Sequence, residues 1–148
     1  MKIFSYLDER LIFLLDAPSK EEALDTLVSK TISILQLPEG ERFHQAILDR
    51  EKIVSTGIGM GVAIPHAKLN SYSNFFVTLG ILNKGVDWNA LDNAPVRFVF
   101  LIGGPADRQT EYLKILSTLT VALRDEELRK QLISSTSAQE VLKFFEEL

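Results

Sequence analysis

A chain of 148 residues, 46% apolar and 24% charged, has the material for one compact domain with a proper core. A formal net charge of −4, with no dense Lys/Arg stripe to release counterions from a phosphate backbone, argues against nucleic acid as a partner. Cysteine is absent, which removes disulfides, thiolate nucleophiles and sulfur metal sites, and the longest apolar run, residues 96–102, is too short for a bilayer and is interrupted by Arg97. The N-terminal residues carry acids directly behind their apolar side chains and no small-residue cleavage site, so they do not read as a secretion signal. A cytoplasmic protein without direct membrane insertion is the simplest reading. No repeat, low-complexity tract or long linker divides residues 1–148, and one domain is expected.

The first periodic segment, residues 19–36, reads as a helix. Ser19 and Glu22 form a capping box, and Leu24, Leu27, Val28, Thr31 and Leu35 share a face. Pro38 and Gly40 mark a break, and a second helix is expected over about residues 41–50, with Phe43, Ala46 and Ile47 inward. Residues 75–82 and 96–102 are nearly continuous apolar runs, as strands covered on both faces require. Between them, Asn83-Lys84-Gly85 and Asp92-Asn93-Ala94-Pro95 have the chemistry of turns. After Gly103-Gly104-Pro105 the pattern is helical: about residues 107–123, then a helix capped by Asp125, then one capped by Ser137 and Glu140. Helices before and after the strands predict an α/β sandwich, a small sheet flanked by helices, whose strand order the pattern does not reveal.

The chemistry concentrates in residues 50–69. Gly57, Gly59 and Gly61 alternate, and a short apolar run ends in Pro65-His66. The glycines do not make a dinucleotide fingerprint, because a β-like segment ending in proline follows them where a helix is needed, and no Gly-Lys-Ser/Thr follows for a P-loop. On spacing alone a tight turn is the stronger reading. The functional one is that small residues leave backbone N–H groups and space for a phosphoryl group.

His66 follows a proline that fixes the preceding backbone, between the small residues Ala63 and Ala67. A neutral imidazole is a nucleophile at one nitrogen when a hydrogen bond at the other holds the tautomer. Arg50 shares the inward face of its helix with Phe43, Ala46 and Ile47. It reads equally as a salt-bridge or helix-end residue and as a guanidinium aimed at the oxygens of a transferring phosphoryl group. His44 reads as solvent-facing, Trp88 as core, and no histidine or carboxylate pattern points to a metal or a cofactor.

Arg50-Glu51, Ser55-Thr56-Gly57-Ile58-Gly59 and Gly61-Val62-Ala63-Ile64-Pro65-His66 together resemble the phosphorylation signature of the fructose/mannitol-type IIA domains of the bacterial phosphotransferase system, a family that includes the nitrogen-regulatory IIA proteins. Gly85-Val86-Asp87-Trp88, Ala90-Leu91-Asp92 and Pro95-Val96 extend the resemblance, as do the Tyr112-Leu113 helix and the Arg124-to-Leu128 segment, so that it covers essentially the whole chain. The resemblance implies a mixed sheet flanked by helices. His66 would be the acceptor of a phosphoryl group from an HPr-like carrier, with Arg50 stabilising the transferring group and Thr56 and Gly57 in the phosphate pocket. Tyr112 stands where many relatives carry a second histidine. A tyrosine donates a hydrogen bond but is neutral at pH 7 and supplies no imidazolium charge, so Tyr112→His should alter phosphorylation kinetics.

The resemblance further implies a downstream partner, either a regulatory target protein or a separate IIB chain, since no cysteine or membrane segment for a IIB or IIC unit is present. Of these the regulatory role is expected. The rival expectation is a binding module that is never phosphorylated. A phosphoryl group would add charge to an apolar face expected to be ringed by Ile58, Met60 and Val62.

Overall fold

The computed structural model describes residues 2–148. Two 3-10 turns lead into β1 (Ile12–Leu15). Then follow α1 (Lys20–Leu35), α2 (Gly40–Ile53), β2 (Gly57–Gly59), β3 (Val62–Ala63), β4 (His66–Lys68), β5 (Phe76–Val86) and β6 (Val96–Gly104). The chain ends in α3 (Gln109–Leu123), α4 (Glu126–Ser134) and α5 (Ala138–Glu146). The strands form one sheet in the order β1-β5-β6-β3-β2, with β4 also on β6. It is mixed: β1 runs parallel to β5, β3 and β4 run parallel to β6, and the β5–β6 and β2–β3 pairs are antiparallel.

Both central strands are apolar on both faces because helices cover both. On β6, Phe98, Phe100 and Ile102 meet Ile115, Leu119, Leu132 and Phe145 from α3, α4 and α5. Val99 and Leu101, pointing the other way, meet Leu27, Phe43 and Ile47 from α1 and α2. The expected sandwich is therefore present. Ser19, Asp125 and Ser137 cap their helices, each side chain accepting from backbone N–H groups of the first turn. Trp88 is wholly buried in the α1/α2 layer.

Several boundaries differ from expectation. Asn83-Lys84-Gly85 is not a turn: the chain stays extended as part of β5, and the register with β6 shifts between Ile81 and Val86. The reversal lies in residues 87–95, where Asp92 Oδ1 accepts the Ala94 N–H at 3.0 Å and Asn93 takes a positive φ. Helix α2 runs three residues past Arg50, so Arg50 sits in its last turn. Helix α3 begins at Gln109, two residues later than expected, because residues 106–107 form a turn and Arg108 stands outside the helix at its N-cap. His44 is half-buried against α1, its Nε2 2.8 Å from Asp25 Oδ1. The short strands β1 to β4 lack the length that periodicity needs to show itself.

Candidate functional site

The glycine segment folds as a hairpin. Met60 and Gly61, at φ +59° and +74°, form the two-residue turn between β2 and β3, a conformation that suits the twist of the flanking strands. Asp92 Oδ2 holds the tip by accepting the Met60 N–H at 3.2 Å. The tight turn read from the sequence is thus what the glycines make. Beyond the hairpin the chain kinks at Ile64-Pro65 and continues along β6 as β4, whose first residue is His66.

The kink aims the imidazole. The His66 Nδ1 lies 2.9 Å from the Ile64 carbonyl oxygen. A carbonyl only accepts, so Nδ1 carries the proton and Nε2 keeps its lone pair. The pKa of His66 is lowered from its ordinary value: burial penalises the imidazolium, and the positive charges of Arg50 and Lys68 act in the same direction. The Ile64 hydrogen bond and Glu51 oppose this in part. The result is a neutral histidine with Nε2 free near pH 7.

A cavity of about 190 Å³ lies beside it, lined by Arg50, Ser55, Thr56, Ile58, Ile64, His66, Tyr112, Leu116 and Thr120. Arg50 reaches it from the last turn of α2, with one arm anchored by the hydrogen bond that Nη1 donates to the Val54 carbonyl at 2.9 Å. That anchor uses one of five N–H donors and orients the planar fork. Tyr112 enters from the first turns of α3, its ring centroid 5.4 Å from that of His66, and is backed by Phe75 in a stacked pair at 6.2 Å. Burial pushes the Tyr112 pKa to about 12, with Arg50 pulling the other way, so its hydroxyl is a neutral donor.

Of the residues singled out in the sequence, His66, Arg50, Thr56 and Tyr112 share this cavity. Thr56 commits its hydroxyl and its amide N–H to the Glu51 carboxylate, the amide at 2.8 Å. Gly57 is buried behind the lining, its N–H donating to Ser55 Oγ at 3.1 Å. A Cβ there would meet Ala90 Cβ at 2.7 Å and Ala90 Cα at 2.9 Å, so close packing against the loop of residues 87–95 explains the glycine. Val62 is fully buried and takes no part in an exposed apolar ring; Ile58 is half-buried in the cavity wall, and Met60, also half-buried, sits at the hairpin tip against Arg129 rather than at the cavity.

Two contributors escaped sequence reasoning. Glu51 is a buried carboxylate, 2.9 Å from Lys20 Nζ, at the head of a relay of hydrogen bonds. It accepts from Thr56, the Thr56 carbonyl accepts the Ile64 N–H at 3.0 Å, and the Ile64 carbonyl accepts from His66. Lys68, two residues along β4 on the same face as His66, places its Nζ 4.3 Å from the centre of the Tyr112 ring. The i, i+2 spacing from His66 was the available signal for Lys68, and the i, i+4, i+8 spacing of Tyr112, Leu116 and Thr120 for the wall that α3 supplies.

Among the described residues no group of three or more His, Cys, Asp or Glu is placed to hold a metal ion. The arrangement has the parts for in-line transfer onto nitrogen: a free lone pair, a fixed guanidinium, a neutral hydroxyl and a second cation.

Comparison with known proteins identifies the lineage. The family model of the phosphoenolpyruvate-dependent sugar phosphotransferase system, EIIA 2, matches residues 5–148. A fructose-specific EIIABC component of Bacillus subtilis is 36% identical over 96% of the chain, which spans only 22% of that relative's length. A nitrogen regulatory protein of Bradyrhizobium diazoefficiens is 34% identical, covering 90% of this chain and 86% of its own length. The crystal structure of nitrogen regulatory protein IIA-Ntr from Neisseria meningitidis superposes with a TM-score of 0.88 at 26% identity, covering 97% of this chain and 98% of that one. Enzyme IIA mannitol of Escherichia coli, in its complex with phosphorylated enzyme IIB mannitol, superposes at 0.80 with 27% identity, covering 96% and 98%. The chain belongs to the phosphotransferase-system EIIA 2 family.

Proposed function

We propose that this EIIA 2 member is a phosphocarrier that accepts a phosphoryl group on His66 from a phosphorylated HPr-like protein and serves a regulatory, nitrogen-type role. The observation that carries the reading is the hydrogen bond from His66 Nδ1 to the Ile64 carbonyl, which leaves Nε2 as the free nucleophile beside Arg50. In the transfer, the Nε2 lone pair forms a bond to phosphorus while the donor's phosphorus–nitrogen bond breaks, its electron pair staying on the donor imidazole. Positive charge builds on the His66 ring as the new bond forms, and the Nδ1–H···O=C bond strengthens with it. Arg50 offers its remaining N–H donors to the equatorial oxygens, and Tyr112 offers a neutral hydroxyl. Thr56 and Gly57 act on this reading as supports of the loop that walls the pocket. No cofactor is needed.

The regulatory role is supported by the match over most of the length of a nitrogen regulatory protein and by the likeness to IIA-Ntr. A sugar-transport role with separate IIB and IIC chains is the second reading, favoured by the fructose-specific relative and by the likeness to a IIA solved with its IIB. Among the described residues no helix is long and apolar enough to cross a membrane, and we assign the carrier to the cytoplasm beside its donor.

The test is intact mass after incubation with phosphoenolpyruvate, enzyme I and HPr. One acid-labile phosphoryl group on the wild type and none on His66→Ala is the expected result. No adduct, with the donors active on a known acceptor, would leave a binding module that is never phosphorylated. Passage of the group on to a fructose- or mannitol-type IIB would favour transport over regulation.

A further inference from the structure

The phosphocarrier reading leaves a charge unbalanced. A phosphoryl group brings a charge of about −1.5 to −2 at neutral pH. Arg50 supplies one positive charge, and Tyr112, neutral to about pH 12, supplies none. Charge left uncompensated in a half-buried pocket is unfavourable. A second cation stands close by. Lys68 sits half-buried on the same face of β4 as His66, with its Nζ 4.3 Å from the centre of the Tyr112 ring and donating to Gln109 Oε1. Both contacts hold the ammonium at the α3 wall of the site, opposite the α2 side from which Arg50 reaches. The fields of Arg50 and Lys68 both reach the imidazole, since each makes it harder to protonate.

We propose that Lys68 is the second cationic ligand of the phosphoryl group carried by His66, and that the Tyr112 ring is where its ammonium rests until that group arrives. Cation–π attraction to an aromatic face is weaker than pairing with a dianion, so the phosphoryl group draws the ammonium off the ring across a short distance. In this chain the Lys68–Tyr112 pair then supplies the positive charge that Tyr112 alone lacks. The role rests on the phosphocarrier reading of His66.

The experiment compares wild type, Lys68→Gln and Lys68→Arg, each phosphorylated with phosphoenolpyruvate, enzyme I and HPr. Uptake is followed in single turnovers, and the phosphohistidine is titrated by ³¹P NMR. Loss of one charge-assisted hydrogen bond should slow uptake in Lys68→Gln by about tenfold and raise the ionisation midpoint of the phosphoryl group by about one pH unit. Lys68→Arg should restore most of both, and the unfolding temperature should stay near wild type in each. A purely structural lysine would lower the unfolding temperature and leave the ³¹P midpoint in place, which would overturn the assignment. If wild type takes up the group and Lys68→Gln matches it in rate and midpoint, only the Lys68 role falls. If wild type takes up none from active HPr, the phosphocarrier reading falls and the Lys68 role with it.

Discussion

Replacing Glu51 by glutamine separates two jobs of one buried residue. Its carboxylate faces the Lys20 ammonium at 2.9 Å and receives both the N–H and the hydroxyl of Thr56. Glutamine keeps the shape but removes the charge, so Lys20, itself mostly buried, is left without its counterion, and one acceptor oxygen becomes an NH₂ facing donors. Removing one partner of a buried ion pair is destabilising by about 3–5 kcal/mol, and the long Lys20 stem can carry its head toward water, which favours the lower end. At about 3 kcal/mol, a domain of this size should unfold roughly 6–12 °C lower. Thermal unfolding by circular dichroism, with urea titration for the free energy, measures this. Lys20→Met added to Glu51→Gln removes the orphaned cation and should recover about 2 kcal/mol, a coupling that additive behaviour would not show. Phosphoryl uptake should also slow at temperatures where the variant is fully folded, because the relay through Thr56 and Ile64 ends on the His66 ring. A Glu51→Gln protein within about 0.5 kcal/mol of wild type would refute the energetic argument, since that is the range of an inconsequential surface change.

Four further outcomes follow from the same geometry. Arg50→Lys keeps the charge but loses the planar fork, and single-turnover uptake should fall by about 10²- to 10³-fold; a variant near wild type would mean that Arg50 only anchors Val54. Because burial and the neighbouring cations lower the His66 pKa, acceptance should stay at its plateau below pH 6.5 and decline only as the pH passes the depressed value, as a pH–rate profile reports; a midpoint at or above the ordinary histidine value of about 6.5 would contradict this. The same shift means that the unfolded chain binds the proton more readily, so the His66 contribution to stability should diminish as the pH falls from about 6.5 toward the lowered value, and His66→Ala should flatten that part of the stability curve. Gly57→Ala drives a Cβ to 2.7 Å from Ala90 Cβ and should be destabilising by about 1–3 kcal/mol, with Ala90→Gly restoring part of it; a neutral Gly57→Ala would show that the loop of residues 87–95 moves aside freely.

What was legible in the sequence was local. The caps at Ser19, Asp125 and Ser137 act within one turn, and the two-sided apolar runs of β5 and β6 declare strands covered on both faces. The neighbourhood of His66 was legible because proline and glycine restrict the backbone wherever they stand. Non-local pairings were not. Glu51 reads as an ordinary charge on the outer turn of a helix until the loop of Ser55 and Thr56 folds back over it, and Lys20 comes to it from 31 positions away by the numbering. Asn83-Lys84-Gly85 has the composition of a turn, yet pairing of Val86 with Val96 keeps the chain extended through it, a case of sheet register overriding local preference.

The site draws on four parts of the chain that meet only through the sheet. β6 fixes β4 and so the direction of His66, the hairpin supplies Ile58, and α2 and α3 reach the cavity from opposite faces with Arg50 and Tyr112. Each packed layer thus contributes one side of a pocket whose histidine, His66, lies on the strand between them. A substitution that shifts either layer on the sheet changes the spacing between guanidinium and imidazole without touching either residue. On this basis volume changes at Phe43 or Ile47 behind Arg50, or at Ile115 behind Tyr112, should alter uptake more than equal changes in α5, which packs against β1 and sends Phe145 to Phe100 but contributes no residue to the cavity lining.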